Sequence, residues 1–555
     1  MRRKKHNRKS NQMGNSFEEQ NLPLGYAEFE TIRSDNSIYV DKTELIFQIC
    51  NVTRQVLLVR PRRFGKTLLV STFASLFSHG TRDFQGLAIE RLWNDKTYPV
   101  IRLDFSGFKE FDGPEEFCAA LHSNIQSCFA PLGFSVDRQS PVLFWDQFKA
   151  WLKELETRSI VLLIDEYDTP PTKLMHKPEL FNLVREELGV FYAAIKQFES
   201  RFRFFFMTGI MKFSSTSIFS AFNNIVDISM LPQYGALLGY TESEINHHFG
   251  PHIEKASRDL GISKPELLNE LKLNYNGFCF EETASQTVYC PWSVLSFLAQ
   301  PQRGFKDYWS ATGGLPTVLM QYLKHHSLRD PADFDTPVPV ALEELATPNR
   351  NVSDVSLEVM LNQAGYLTIK KALSDSAVLL GYPNREVYNS MGRLYAQQMT
   401  AGDVELKRSL LFWEQLLDTK GAEEVFDAFN RAFSRLNYQA YPIKDEATCG
   451  SHLVMLLLGA LLEPTVEKHN AYGRSDIEVE TDKRRWVFEL KYAKTETEVP
   501  RLLDVAVEQI KSRHYGESLR HKELCRLALV FSESERRFVA WKAVSGSLVG
   551  LTRPV

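Results

Sequence analysis

The sequence predicts a multidomain α/β protein: a parallel sheet with helices on both faces, a helical middle region, and a second α/β unit at the C-terminal end. Three observations predict it. The chain has 555 residues, too many for one core at about 100–200 residues per domain. Between 55 and 210, continuous apolar runs alternate with amphipathic stretches, the pattern of strands buried on both faces and joined by covering helices. From 437 onward, strand-like and helix-like segments resume after a largely helical interval. A composition of 44% hydrophobic and 24% charged residues is that of an ordinary folded chain.

The elements follow in order. "MRRKKHNRKS" opens the chain with six Lys or Arg in ten residues and no acid. Residues 1–20 are therefore read as a basic, disordered tail, either a nucleic-acid arm or import signal or a merely solvated extension. No apolar signal-peptide core follows it, and no apolar run reaches the roughly 18 residues of a membrane span. "QVLLV", "VIRLDF", "IVLLI" and "FRFFFM" are the expected strands of a first domain, 21–240, with helices through "TLLVSTFASLF" and near 115–129 and 179–198. Residues 241–365 read as a helical lid or middle domain, broken at "GGLP" and "TPVP". A linker region, 366–436, holds short strands at "GYLTIK" and "AVLLGYPNREV" and then helices. The last domain, 437–555, has a helix at "SHLVMLLLGALL", strands at "SDIEVE" and "RWVFELK", a helix over 501–514, and strands at "RLALVF" and "RRFVAWKAV". The net charge of −4 says nothing of partners, because local surfaces decide those. Seven cysteines without a C-x-x-C pair suit a reducing compartment, the cytoplasm or, in a eukaryotic host, the nucleus.

"VLLVRPRRFGKT" puts a basic, glycine-containing turn between an apolar strand and a helix. A phosphate cradle needs inward-pointing backbone N–H groups, a glycine for close approach, a lysine for the β and γ phosphates and a hydroxyl for Mg²⁺. Gly65, Lys66 and Thr67 supply the last three, at the helix N-terminus where an anion is favoured. Arg60 stands where the general pattern G-x-x-x-x-G-K-[ST] has its first glycine. It is tolerable if that position does not need a positive φ, and its charge is then expected to join Arg62 and Arg63 near the phosphates. Further on, "SIVLLIDEYD" ends a buried strand in Asp165, expected to hold Mg²⁺, and Glu166, expected to polarise the attacking water. "FRFFFMTG" ends another in Thr208, suited to sensing the γ phosphate. Asp165 with Glu166 suits water activation better than phosphoryl transfer to a second substrate, which disfavours a kinase.

The second constellation is "GRSDIEVETDKRRWVFELK". Glu489 and Lys491 lie two apart on one strand and so share a face, and a hairpin pairing brings Asp476 to them. Two carboxylates suit a hard divalent cation such as Mg²⁺, and a lysine beside them orients or deprotonates the attacking water. Glu467 is a candidate further ligand. On the helix after the hairpin, Gln509, Lys511, Arg513 and Tyr515 are open to two readings, a face turned toward a phosphate backbone or an ordinary solvated helix face.

With these residues in hand, the chain resembles a family of bacterial and some eukaryotic proteins that join an AAA-ATPase-like domain to a C-terminal nuclease-like domain of the PD-(D/E)XK superfamily. The resemblance runs through "YVDKTELI", "RPRRFGKTLLVSTFASLF", "LLIDEYDTP", "MTGIMKFSSTSIFSAFNNIVDIS", "NYNGFCF", "YCPWSVLSFL", "YWSATGGLPTVL" and "LGYPNREV" to "GRSDIEVE" and "FELK". An arginine begins the loop in that family too. The resemblance implies a P-loop NTPase fold followed by a restriction-endonuclease-like domain. It implies ATP at Lys66 and Thr67 with Asp165 and Glu166 supporting hydrolysis, Arg60, Arg63, Gly65 and Thr208 around the nucleotide, and a Mg²⁺-dependent nuclease site at Asp476, Glu489 and Lys491. Thr67, Asp165, Asp476 and Glu489 are the expected metal ligands. Asp41, Lys42 and Thr43 of the "YVDKT" segment are expected to cap the nucleotide pocket structurally. The Tyr-His pair expected on the helix before the hairpin reads Ser451-His452 here. DNA or RNA is the expected partner, with no membrane association and homo-oligomers open. The competing reading is a nucleotide-driven switch whose nuclease-like domain binds nucleic acid without cutting it.

Overall fold

The computed structural model describes residues 20–544 except 109–110, 112, 175–176, 213–223, 312–316, 324–327, 329–330, 335, 347–354, 401–402, 471–472 and 513–521. The basic tail lies, but for Gln20, outside the described residues, as does "GGLP" apart from its surroundings. Strands β1 (Gln55–Val59), β2 (Val100–Asp104), β3 (Ile160–Asp165), β4 (Phe202–Gly209) and β5 (Val226–Asp227) form one five-stranded sheet in the order β2-β3-β4-β1-β5. Its pairings are all parallel, so every strand ends at the same edge.

The apolar runs are continuous because both faces are covered. Val56 and Leu58, Val161 and Leu163, Phe204 and Phe206 pack on one side with Phe73 and Phe77 of helix Lys66–His79. Leu57, Leu162, Ile164, Phe205 and Met207 pack on the other with Phe117, Leu121, Phe148, Val184 and Leu188 from helices Pro114–Phe129, Phe144–Glu154 and Pro178–Gln197. Each such side chain contributes about 1.5–3 kcal/mol by leaving water. β2 is one of the two edge strands, and alternate residues show it: Ile101 and Leu103 are buried while Arg102 and Asp104 face outward.

The expected strands and helices of this domain are present. Helix Phe144–Glu154, the two-residue β5 and the helices Phe29–Ser34 and Thr43–Val52 were not read from the sequence. The middle region is helical over Glu242–His248, Gly250–Leu260, Lys264–Tyr275 and Pro291–Ala299. Their core takes in Ile38 and Val40 from the N-terminal segment. The region is not wholly helical: β6 (Val338–Ala341) joins β7 (Thr368–Ser374) and β8 (Ala377–Gly381) in a three-stranded antiparallel sheet, order β6-β8-β7. Helix Arg385–Met399 lies so close along helix Glu446–Gly459 that a methyl group at Gly392 would overlap Leu458.

The C-terminal sheet holds β9 (Thr465–Asn470), β10 (Gly473–Glu480), β11 (Arg484–Ala493), β12 (Glu523–Ser532) and β13 (Arg537–Ala543), in the order β13-β12-β11-β10-β9. Only β11 and β12 pair in parallel; the remaining pairs are antiparallel. The parallel pair needs a crossover, and helix Val499–Ser512 supplies it, laying Ala506, Val507 and Ile510 against Val487 and Ala528. Leucines of helix Glu446–Gly459 cover the other face with Ile477, Phe488 and Leu490. Among the described residues no helix is long and apolar enough to cross a membrane.

Candidate functional site

Because β1, β3 and β4 are parallel neighbours, the turns that follow them meet at one edge of the sheet. The turn after β1 enters helix Lys66–His79 through Gly65, whose φ of 90° is natural only to glycine, and a Cβ added there would meet nothing within 4 Å. Arg63 is also left-handed, at φ 72°, a strain of the kind that collects at functional turns. Lys66 is 7% exposed. Its ammonium donates back across the loop to the carbonyls of Arg60 (3.1 Å) and Pro61 (3.0 Å). Burial pulls its pKa down, while Asp168, Asp165 and Glu166 pull it up.

Asp165 closes β3 with the Thr67 hydroxyl near its carboxylate. Burial lifts its pKa; Thr67 and Lys66 oppose the shift, and Glu166 and Asp104 reinforce it. Glu166 follows with φ 52° and takes a hydrogen bond from Thr169 at 3.0 Å. The loop, Glu166 and the N-terminal and middle segments enclose a cavity of about 520 Å³, a size suited to one small ligand. Arg62, Arg63, Gly65, Lys66 and Thr67 line it together with Tyr26, Tyr39, Tyr240 and Trp292, and the Arg63 guanidinium lies 4.2 Å over the Trp292 ring. A surplus of carboxylates around Asp165, with a hydroxyl near it, facing a lysine and an open glycine, fits Mg²⁺ with a phosphate ester.

The "YVDKT" segment builds the wall opposite. Asp41 accepts from the Thr43 N–H (2.8 Å), the Thr43 hydroxyl (2.6 Å) and the Ala88 N–H (2.8 Å). Lys42 lines the cavity and pairs with Glu244 at 2.5 Å, joining the first domain to the middle region.

Two expected nucleotide residues lie elsewhere. The Arg60 guanidinium does not join Arg62 and Arg63: it turns back under the loop, donating to the carbonyls of Val59 (2.9 Å), Ser229 (2.6 Å) and Tyr234 (3.1 Å). Its φ is not positive, which is why an arginine fits. Thr208 is fully buried, and its hydroxyl donates to the Leu58 carbonyl at 2.7 Å; the β1–β4 register sets Leu58 beside it, so it faces the sheet and not the cavity. Asp168 is the residue the sequence reading passed over. Its Oδ2 accepts from the Ile210 and Met211 N–H groups at 3.0 and 2.9 Å, its Oδ1 is buried without a hydrogen bond, and burial raises its pKa to about 6. A Cβ at Gly209 would collide with it.

In the C-terminal domain, Glu489 (2% exposed) and Lys491 (8%) share a face of the central strand β11. Lys491 Nζ donates to Glu489 (3.2 Å), to the Leu490 carbonyl (2.7 Å) and to Glu446 (3.0 Å) at the start of helix Glu446–Gly459. A buried carboxylate without such a cation would cost several kcal/mol. Asp476 lies on β10, one place before Ile477, which pairs with Phe488 of β11. The side chains of Asp476 and Glu467 lie outside the described residues. A carboxylate beside a lysine, with a second carboxylate at hand, is a donor set that fits a hard cation. Glu446 was not anticipated. His452 Nδ1 lies 2.7 Å from the Thr448 carbonyl. On helix Val499–Ser512, Gln509 is half-buried and Lys511 exposed, while Arg513 and Tyr515 fall outside the described residues.

Comparison with known proteins agrees with this division. Residues 23–219 match the model of a predicted AAA-ATPase family, and residues 445–541 that of the PD-(D/E)XK nuclease superfamily. The chain is 29% identical over 534 residues to the "uncharacterized protein in vnfD 5'region" of Azotobacter chroococcum mcd 1, covering 94% of this chain and 98% of that one. Among solved structures, Cdc6p from Pyrobaculum aerophilum matches at 12% identity and a TM-score of 0.25, over 63% of this chain and 90% of that chain, a likeness too slight to build on.

Proposed function

From a chain that joins an AAA-ATPase-like domain to a C-terminal PD-(D/E)XK nuclease-superfamily domain, we propose an ATP-binding and ATP-hydrolysing protein whose nucleotide state governs Mg²⁺-dependent cleavage of DNA or RNA. The observation that carries this is shared by the two halves: each buries a lysine beside carboxylates, Lys66 at the start of the helix that follows β1 and Lys491 on the central strand β11. Buried lysines are rare unless paired for a reason.

In the first site Gly65 leaves room for phosphate oxygens and Lys66 neutralises the β and γ groups. Thr67 and Asp165 would hold the metal, and Glu166 polarises the water that attacks. Arg62 and Arg63 add positive charge at the mouth. In the second, Glu489 and Asp476 would hold the cation, and Lys491, steadied by Glu446 and the Leu490 carbonyl, orients or deprotonates the attacking water. A bound Mg²⁺ would supply stabilisation of the charge that develops on the phosphodiester oxygens.

The test is cleavage of single- and double-stranded DNA and RNA by the full chain with Mg²⁺, with and without ATP. Loss of cutting in Lys491→Ala, and altered cutting in Lys66→Ala, are the expected results. ATP turnover without cutting of any substrate by the wild type would replace the nuclease reading with one of a nucleotide-driven binding protein.

A further inference from the structure

A guanidinium is rarely buried, and one at the head of a phosphate loop, where glycine is usual, needs a reason. Arg60 is among the largest fully buried side chains of the protein. Burial pushes its pKa down to about 10, with Asp227 the main opposing influence. Its position is determined from several directions. Its N–H donates to the Gly209 carbonyl at the end of β4 (3.1 Å). Its fork holds three carbonyls, two of which, Ser229 and Tyr234, lie beyond β5. Its Cζ lies 4.6 Å over the ring of Phe280, and Phe64, inside the loop, packs edge-on against Phe278 and the same Phe280 at 4.9 and 4.8 Å. The Arg60 carbonyl is in turn one of the two on which the Lys66 ammonium rests.

We propose that Arg60 is a positioning residue for the nucleotide: its guanidinium, tied to Val59, Ser229 and Tyr234, fixes the head of the phosphate loop and through it the place of Lys66. The inference rests on the nucleotide reading of this site. A glycine-headed loop can take its shape from the phosphates it closes on. This loop is shaped beforehand by a side chain, and the ordering entropy that binding would otherwise have to meet is already met. Arg60 touches no phosphate in this account, so its effect passes through the backbone.

The test inverts an ordinary expectation. Arg60→Gly restores the general motif G-x-x-x-x-G-K-T, yet it takes the guanidinium away from the Ser229 and Tyr234 carbonyls, leaving the latter only the Leu237 N–H at 3.2 Å. Binding of Mg²⁺-ATP to the full-length wild type, Arg60→Gly, Arg60→Lys and Lys66→Ala is measured by titration calorimetry, where stoichiometry counts the folded fraction and Kd reads the positioning. Kd is expected to rise at least tenfold in Arg60→Gly and less in Arg60→Lys, which keeps the charge but not the planar fork; KM for ATP follows Kd. Wild-type Kd and KM in Arg60→Gly overturn the inference. Should that variant bind at zero stoichiometry because it does not fold, wild-type Kd in Arg60→Lys overturns it instead. A wild type that binds no Mg²⁺-ATP defeats the nucleotide reading itself, whereas normal wild-type binding with unchanged variants defeats only this inference.

Discussion

Replacing Asp168 by asparagine should make the protein more stable at neutral pH and remove part of its pH dependence. The carboxyl is buried, and its folded pKa is about 6 against an ordinary 3.8. Between those values the folded protein keeps a proton that the unfolded chain has released. Stability therefore falls as pH rises from about 4 to about 6 and is flat above. The size of the fall is about 3 kcal/mol. Asparagine cannot ionise, and its carbonyl can still accept from the Ile210 and Met211 N–H groups that Oδ2 now serves. The amide NH2 would take the place of Oδ1, which is buried without a hydrogen bond, and burying it so costs about 1 kcal/mol at any pH, so the variant should gain about 2 kcal/mol at pH 7.5 and lose a little at pH 4. The assay is urea denaturation of both proteins at pH values from 4 to 8, followed by fluorescence of the eight tryptophans. A difference between the two proteins that does not change with pH, or an asparagine variant that is weaker at pH 7.5, would refute the reasoning.

Other expectations follow from single contacts. Lys491→Ala should lower nucleic-acid cleavage by about a hundredfold or more and leave ATP turnover alone; equal cleavage by the two proteins would remove Lys491 from the reaction. Asp41→Ala breaks the bonds to Thr43 and Ala88 and should cost about 2–3 kcal/mol, with a several-fold weaker Kd for ATP as the Lys42 wall loosens; thermal unfolding and nucleotide titration check both. Gly277 has φ +94° and a Cβ added there would overlap the Pro383 carbonyl, so Gly277→Ala should destabilise by about 3 kcal/mol or more, and a loss below about 1 kcal/mol in the same unfolding assay would contradict the packing. Lys66→Ala should abolish the thermal shift that Mg²⁺-ATP gives the wild type.

The strands of the first sheet were legible because residues buried on both faces leave long β-branched and aromatic runs, as in "VLLV" and "FRFFFM". β5 has two residues, β6 is short, and β9 reads "TVEKHN", so none carries that signal. Lys66 and Asp165 were legible because chain order and strand ends place them. The direction of Arg60 was not, since its partners Ser229 and Tyr234 come some 170 residues later. Thr208 reads as a strand-end hydroxyl, and only the register with Leu58 shows it turned into the sheet. Asp168 stands in plain view in "LLIDEYD", but its role depends on amides after β4. Glu446 looks like any acid in the first turn of a helix; the fold alone brings it to Lys491.

The order β13-β12-β11-β10-β9 also bears on how a ribosome delivers this protein. β10 and β11 can zip together as a hairpin while the chain is still being made, but the edge of β11 that carries Glu489 and Lys491 stays open until β12 has been synthesised and has paired along it. Phe538, deep in the same core, arrives later still. The phosphate loop and its sheet are by then long out of the exit tunnel. A newborn chain thus completes its first sheet before its carboxylate–lysine strand acquires a second neighbour.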